Sequence, residues 1–176
     1  MSNDSIVDRL AQACEEEAPR LAEAIRALDE SGRRELEGVL GRLASAKSSV
    51  LSGSARLSAR RLLVPIRNLH SESLALLNKC LDYLDLNADG RLDQQEVELA
   101  SACIEAFASL SPPGHTLSIP ELQLLYSVLR ALDRDDDHRL DSDEQARLRQ
   151  GIADIRWFLE DLRVNNPKFQ PPSHFR

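Results

Sequence analysis

The stretch DLNADGRLDQQE, residues 85–96, places Asp85, Asn87, Asp89, Asp93 and Glu96 at positions one, three, five, nine and twelve of a twelve-residue segment. A second stretch, DRDDDHRLDSDE at 133–144, repeats the arrangement with Asp133, Asp135, Asp137, Asp141 and Glu144. So many carboxylates in so few residues repel one another unless a positive object sits among them. Alternate positions of a curled loop point inward, and the backbone carbonyls of Arg91 and Arg139 fall at position seven, where side-chain identity matters little. Such a set of oxygens suits a hard cation. Calcium accepts about seven ligands including a bidentate carboxylate, whereas magnesium prefers a smaller octahedron and keeps its waters.

Both segments lie between helix patterns. Leu74, Leu77, Leu81 and Leu84 precede the first, at helical spacing, and Val97, Ala100, Ile104 and Phe107 follow it. Leu122, Leu125, Leu129 and Leu132 precede the second, in a helix opened by Ser118, Pro120 and Glu121 at capping-box spacing. Leu148, Ile152, Ile155, Leu159 and Leu162 follow it. Asp93 and Asp141 stand where they can cap the helices they precede, so that helix start and cation site reinforce each other.

These residues resemble the EF-hand family of calcium-binding proteins. The first loop matches the pattern D-x-[DN]-x-[DN]-G-x5-E at every position. The second departs from it once, with His138 where the family has glycine. The resemblance covers about residues 72–163. It implies two calcium sites, with Asp85, Asn87, Asp89, Arg91, Asp93 and Glu96 as ligands of one and Asp133, Asp135, Asp137, Arg139, Asp141 and Glu144 as ligands of the other. It also implies that Leu92 and Leu140, at position eight of each loop, join the loops through a short antiparallel bridge. The loops start 48 residues apart, about a dozen more than is usual in the family, with the extra length around SPPGHTLS (111–118). Position six needs a positive φ, a region where histidine is one of the few enriched non-glycine residues. His138 is therefore expected to occupy the turn without being a ligand. The strain, on the order of 1 kcal/mol, predicts weaker calcium binding at the second site.

The remaining chain reads as helical too. Leu and Ala dominate the apolar residues, which make up 42% of the sequence and favour an all-α fold over disorder or sheet. Ser5 caps a first helix carrying Ile6, Val7, Leu10 and Cys14. Pro19 opens a second, with Leu21, Ala24, Ile25 and Leu28, that is expected to stop at Gly32. A third runs from about Arg33 to Lys47, and Ser48–Ser54 reads as a linker. The expected organisation is an N-terminal helical region over 1–70, an EF-hand pair over 71–163, and a Pro-rich tail over 164–176.

Formal charge is −7, but unevenly spread: about −5 over 1–40, about +6 over 41–71 with no acid, about −10 over 72–163 and about +2 thereafter. This argues against nucleic-acid binding, which needs a predominantly basic surface. The basic amphipathic segment 55–67 joins Arg56, Arg60, Arg61 and Arg67 to Leu57, Leu62, Leu63, Val64 and Ile66. Three readings stay open for it: a further bundle helix, an intramolecular target of an EF-hand groove, or an attachment point for an acidic partner or anionic membrane. With Met1 as the single methionine, any groove would be leucine-lined, with Phe107, Tyr126, Trp157 and Phe158 at its edges. Trp157 and Phe158 lie off the apolar stripe of the last helix and are expected to pack on the N-terminal helices or to meet a partner.

No apolar run approaches the roughly 18 residues that span a membrane, and the N-terminus does not read as a secretory signal. Three cysteines without metal-ligand spacing suggest buried thiols in a reducing, cytoplasmic setting. No nucleophile elbow, phosphate-binding glycine loop or His-centred metal set is found, and the carboxylates are accounted for as ligands, so an enzyme is not expected. The functional expectation is a calcium-dependent regulator or sensor acting on a protein partner or through an intramolecular switch. A calcium buffer, or an adaptor with structural calcium, is the alternative.

Overall fold

The computed structural model describes residues 5–43, 53–87, 89–109 and 116–165, with side chains up to 154. The described residues form eight helices and no strand, so the chain is all-α. The N-terminal pair is α1 (Ile6–Cys14) and α2 (Pro19–Arg26). Ser5 Oγ accepts the Asp8 N–H at 3.2 Å, and Asp8 Oδ2 accepts the Ser5 N–H at 3.3 Å, closing a capping box on α1. Helix α2 begins at the expected proline but stops at Arg26, not at Gly32. Gly32 instead lies in the first turn of α3 (Glu30–Leu43). The Asp29 carboxylate accepts its N–H at 2.7 Å and so starts a helix where glycine alone suggested a stop.

Helix α4 (Gly53–Leu63) is made by the basic segment and ends two residues before Pro65. Ala55, Ala59, Leu62 and Leu63 on it are buried, with Ile66 just beyond, but Leu57 and Val64 are exposed, contrary to their place in the expected apolar face. Two of its arginines are engaged from two sides: Arg60 pairs with Glu17, and Arg61 with Glu98 at 3.1 Å. The segment thus packs as a helix of the bundle beside α3 and the later helix Gln94–Ser109, an arrangement that both a bundle helix and a docked intramolecular target would show.

Two longer helix–loop–helix units follow. The first is α5 (Ser71–Leu84) with α6 (Gln94–Ser109), and the second is α7 (Ile119–Leu132) with α8 (Ser142–Asn165). His70 caps α5 through Nδ1, which accepts the Glu72 N–H at 3.2 Å. Glu121 closes the start of α7 on the Ser118 N–H at 3.1 Å. Helix α8 reaches Asn165, two residues into the segment read as tail. Residues 166–176 and the side chains of Trp157 and Phe158 lie outside the described residues, as does most of the expected linker at 48–54.

The units stack in one sense. Helices α3, α5 and α7 form a row, while α4 lies beside α6 and α6 beside α8. At the starts of α5 and α7, Ile66 and Leu117 form a parallel bridge: the Leu117 N–H donates to the Pro65 carbonyl at 2.6 Å, and the Arg67 N–H to the Leu117 carbonyl at 2.8 Å. At the other end of the row Arg42 of α3 pairs with Asp82 of α5, and Tyr83 of α5 meets Tyr126 of α7 with ring centroids 6.0 Å apart. One apolar core runs through all of this, from Val7 and Leu10 through Leu36, Leu77 and Leu81 to Leu125 and Ile152. Phe107 is buried in it rather than at a groove edge.

This stacking changes how the loops pair. The bridge expected between Leu92 and Leu140 is replaced. The Leu92 N–H donates to the Arg42 carbonyl at the end of α3, at 2.8 Å, and among the described residues the one isolated bridge is that of Ile66 with Leu117. Helix α3 thereby stands against the first loop where a second loop was expected. Both leucines are nevertheless buried.

Candidate metal centre

The two loops sit at the C-terminal ends of α5 and α7. Asp85 and Asp133 are the residues on which those helices end, each N–H still donating back to Leu81 and Leu129. In the first loop Asp85 Oδ2 accepts the Gly90 N–H at 2.9 Å. The turn requires φ +77° at Gly90. Asn87 accepts from the Asp89 N–H at 3.4 Å, and Asp89 from the Arg91 N–H at 2.9 Å, winding the loop inward. Asp93 caps α6 by accepting the Glu96 N–H at 2.8 Å. Glu96 returns from the first turn of α6 and accepts the N–H groups of Leu86 at 2.6 Å and Asp93 at 2.9 Å. One carboxylate oxygen each from Asp85, Asp89 and Glu96 then lie within 4.8 Å of one another. Asp93 is committed to its cap and stands outside that set.

The second loop repeats this wiring. Asp133 Oδ2 accepts the His138 N–H at 3.0 Å, the counterpart of the Asp85–Gly90 bond, and its Oδ1 accepts the Asp137 N–H at 3.3 Å. Glu144 accepts from Arg134 at 3.1 Å and Asp141 at 3.2 Å, while Asp141 caps α8 on the Glu144 N–H at 2.9 Å. Asp137 accepts the Arg139 N–H at 3.0 Å. The convergent oxygens here belong to Asp133, Asp135 and Glu144. His138 has φ +62°, the left-handed turn that its position was expected to need. Asp136 is also left-handed, at φ +56°, which the pattern did not anticipate.

Three observations fit a hard cation. Asp85 and Glu96 are 6% and 2% exposed, and Asp133 and Glu144 7% and 3%, so each loop buries two carboxylates side by side. Asp85 Oδ1 is buried and accepts no hydrogen bond from the protein, which leaves its lone pairs free to meet a cation. The carboxyls of Glu96 and Glu144 are held above their ordinary range, first by burial. Neighbouring acids add to this, Asp93 and Asp85 around Glu96 and Asp141 beside Glu144, against the backbone N–H bonds that favour the charged forms. Asp135 is raised by its contact with Asp133. Burial acts to raise Asp133 too, but the His138 N–H, the Asp135 carboxyl and the Asp137 N–H together outweigh it and hold this carboxyl below its ordinary range. An all-oxygen donor set with uncompensated buried charge is what calcium neutralises. If an ion is bound, these residues supply its coordination shell.

An open surface groove of about 500 Å³ is lined by residues of both loops, Gly90 and His138 among them, and by Gly38, Gly41 and Arg42 of α3. Nothing in the residue pattern signalled that α3 would form this wall. The side chains of Asp136 and His138 were likewise not expected in any donor set, yet they lie within reach of Asp133. In comparisons with protein-family models, curated proteins and solved structures, nothing matched this chain, so the EF-hand resemblance stands on its loop residues alone.

Proposed function

We propose that the chain is a calcium-binding protein of EF-hand type whose two loops each take one ion, with Asp85, Asp89 and Glu96 central to one site and Asp133, Asp135 and Glu144 to the other. The observation that carries this reading is the unpartnered, buried Oδ1 of Asp85 beside the Glu96 carboxylate. The calcium signal is read out by a protein partner, and the route out of the first loop is short. Leu92 hydrogen-bonds the last turn of α3, and Arg42 of that turn pairs with Asp82 on α5, so tightening the loop pulls on the N-terminal helices. The role is binding and regulation rather than catalysis.

A second reading is favoured by the continuous core. Because α1 to α8 share one apolar interior, calcium can act as a structural clamp whose removal loosens the whole bundle. Solution scattering and thermal melts of the full chain, with and without calcium, separate the two. A regulator changes shape on chelation while staying folded, and its partner binding changes with it. Loss of cooperative melting on chelation instead establishes the clamp. An unchanged profile and unchanged melting in both conditions overturn the regulatory proposal.

A further inference from the structure

The second loop carries a donor set that lies outside the expected calcium ligands. A ring nitrogen of His138 and one carboxylate oxygen each of Asp133 and Asp136 lie within 4.8 Å of one another. Two ligands about 2.1 Å from one ion stand no more than about 4.2 Å apart, so a modest torsional adjustment closes the set. The backbone is left-handed at both Asp136 and His138. Asp133 is buried while Asp136 and His138 are exposed, and the imidazole also touches another element. It packs against Tyr83 of α5 with ring centroids 6.2 Å apart and planes at 53°, and Tyr83 is itself buried against Tyr126. Asp133 is held in place by the N–H groups of Asp137 and His138.

The first loop has no such set. Its corresponding positions are Ala88 and Gly90, which offer no side-chain donor. The difference is one of ligand class. Imidazole is a poor partner for calcium but a good one for zinc, iron, nickel or copper, and a site of two carboxylates and one imidazole leaves positions open for water.

We propose that the second loop is also a binding site for a divalent transition metal of the zinc class, held by Asp133, Asp136 and His138. This ion and calcium exclude each other there because both use the Asp133 carboxylate. The two loops thereby differ in kind: the first takes hard cations alone, and the second responds to two metals. The proposal needs no calcium at the first loop.

The test is calorimetric titration of the full chain with Zn2+ in a non-coordinating buffer, for wild type, His138→Asn and Asp136→Asn. Asparagine tolerates the left-handed conformation and removes the imidazole; circular dichroism checks that each variant is folded. Wild type is expected to bind one Zn2+ that both variants weaken at least tenfold, with the His138 ring resonances shifting on binding. In a calcium-loaded sample, Zn2+ is expected to displace the ion whose binding depends on Glu144 and not the one that depends on Glu96. Undiminished Zn2+ binding by both variants, or none by wild type below millimolar concentration, overturns the proposal. If His138-dependent Zn2+ binding is found while neither loop takes calcium, this inference stands and the calcium proposal falls.

Discussion

Replacing Asp85 with asparagine should reverse sign with the calcium concentration. Asparagine keeps an oxygen to accept the Gly90 N–H, so the turn is retained and mainly the charge is lost. In the metal-free protein that charge sits, buried, within 4.8 Å of the Glu96 carboxylate. Two like charges at that separation repel by about 3–4 kcal/mol at an effective dielectric of about 20. The Leu86 and Asp93 N–H groups stabilise Glu96, and nearby solvent screens the pair, leaving about 1–2 kcal/mol. Asp85→Asn is therefore expected to raise Tm in excess chelator by about 2–8 °C for a chain of this length. In millimolar calcium the order inverts, because wild type gains the stabilisation of a bound ion that the variant has lost. The assay is a pair of thermal melts per protein, one in chelator and one in calcium. A variant less stable than wild type in both would show that Asp85 is a structural acceptor, and would refute the account of its orphaned oxygen.

Gly90→Ala is expected to destabilise by about 1–2 kcal/mol, through backbone conformation alone, since a Cβ there meets nothing within 4 Å. Gly41→Ala, equally unobstructed but inside α3, is expected to stabilise by about 0.5–1 kcal/mol; urea melts of the two variants test the opposite signs. The Arg33 guanidinium and the Ser5 hydroxyl hold the Asp8 carboxyl below its ordinary value of 3.8. Its contribution to stability is thus present above that value and lost as pH falls through the depressed one, so wild type and Asp8→Asn should differ at neutral pH and converge in acid. Burial pushes the Cys80 thiol up to about 12, so thiol reagents at neutral pH should modify it on the order of a thousandfold more slowly than a free thiol until the protein unfolds.

Local signals carried most of the helices and both loops. Ser5, Pro19 and the Ser118–Glu121 pair start helices where their chemistry says they should, and the alternating carboxylates wind as the spacing implied. The turn at His138 was legible for a similar reason, because few side chains tolerate φ > 0 and histidine is among them. Gly32 misled because a glycine can follow a helix or lie in one, and the Asp29 carboxylate decides between them. Leu57 and Val64 misled because hydrophobicity marks a helix face without saying which neighbours cover it. The contact of Leu92 with α3 was illegible for a stronger reason. A backbone N–H carries no side-chain signature, and its acceptor at Arg42 lies fifty residues away along the chain. The convergence of Asp136 and His138 on Asp133 likewise follows from backbone angles that residue spacing does not specify.

Calcium is proposed to neutralise the carboxylates that converge in each loop, and isothermal titration of the metal-free full chain with calcium counts the ions bound. Two bound ions are expected, one removed by Glu96→Gln and the other by Glu144→Gln. No binding up to millimolar calcium, or two ions retained in both variants, would contradict it.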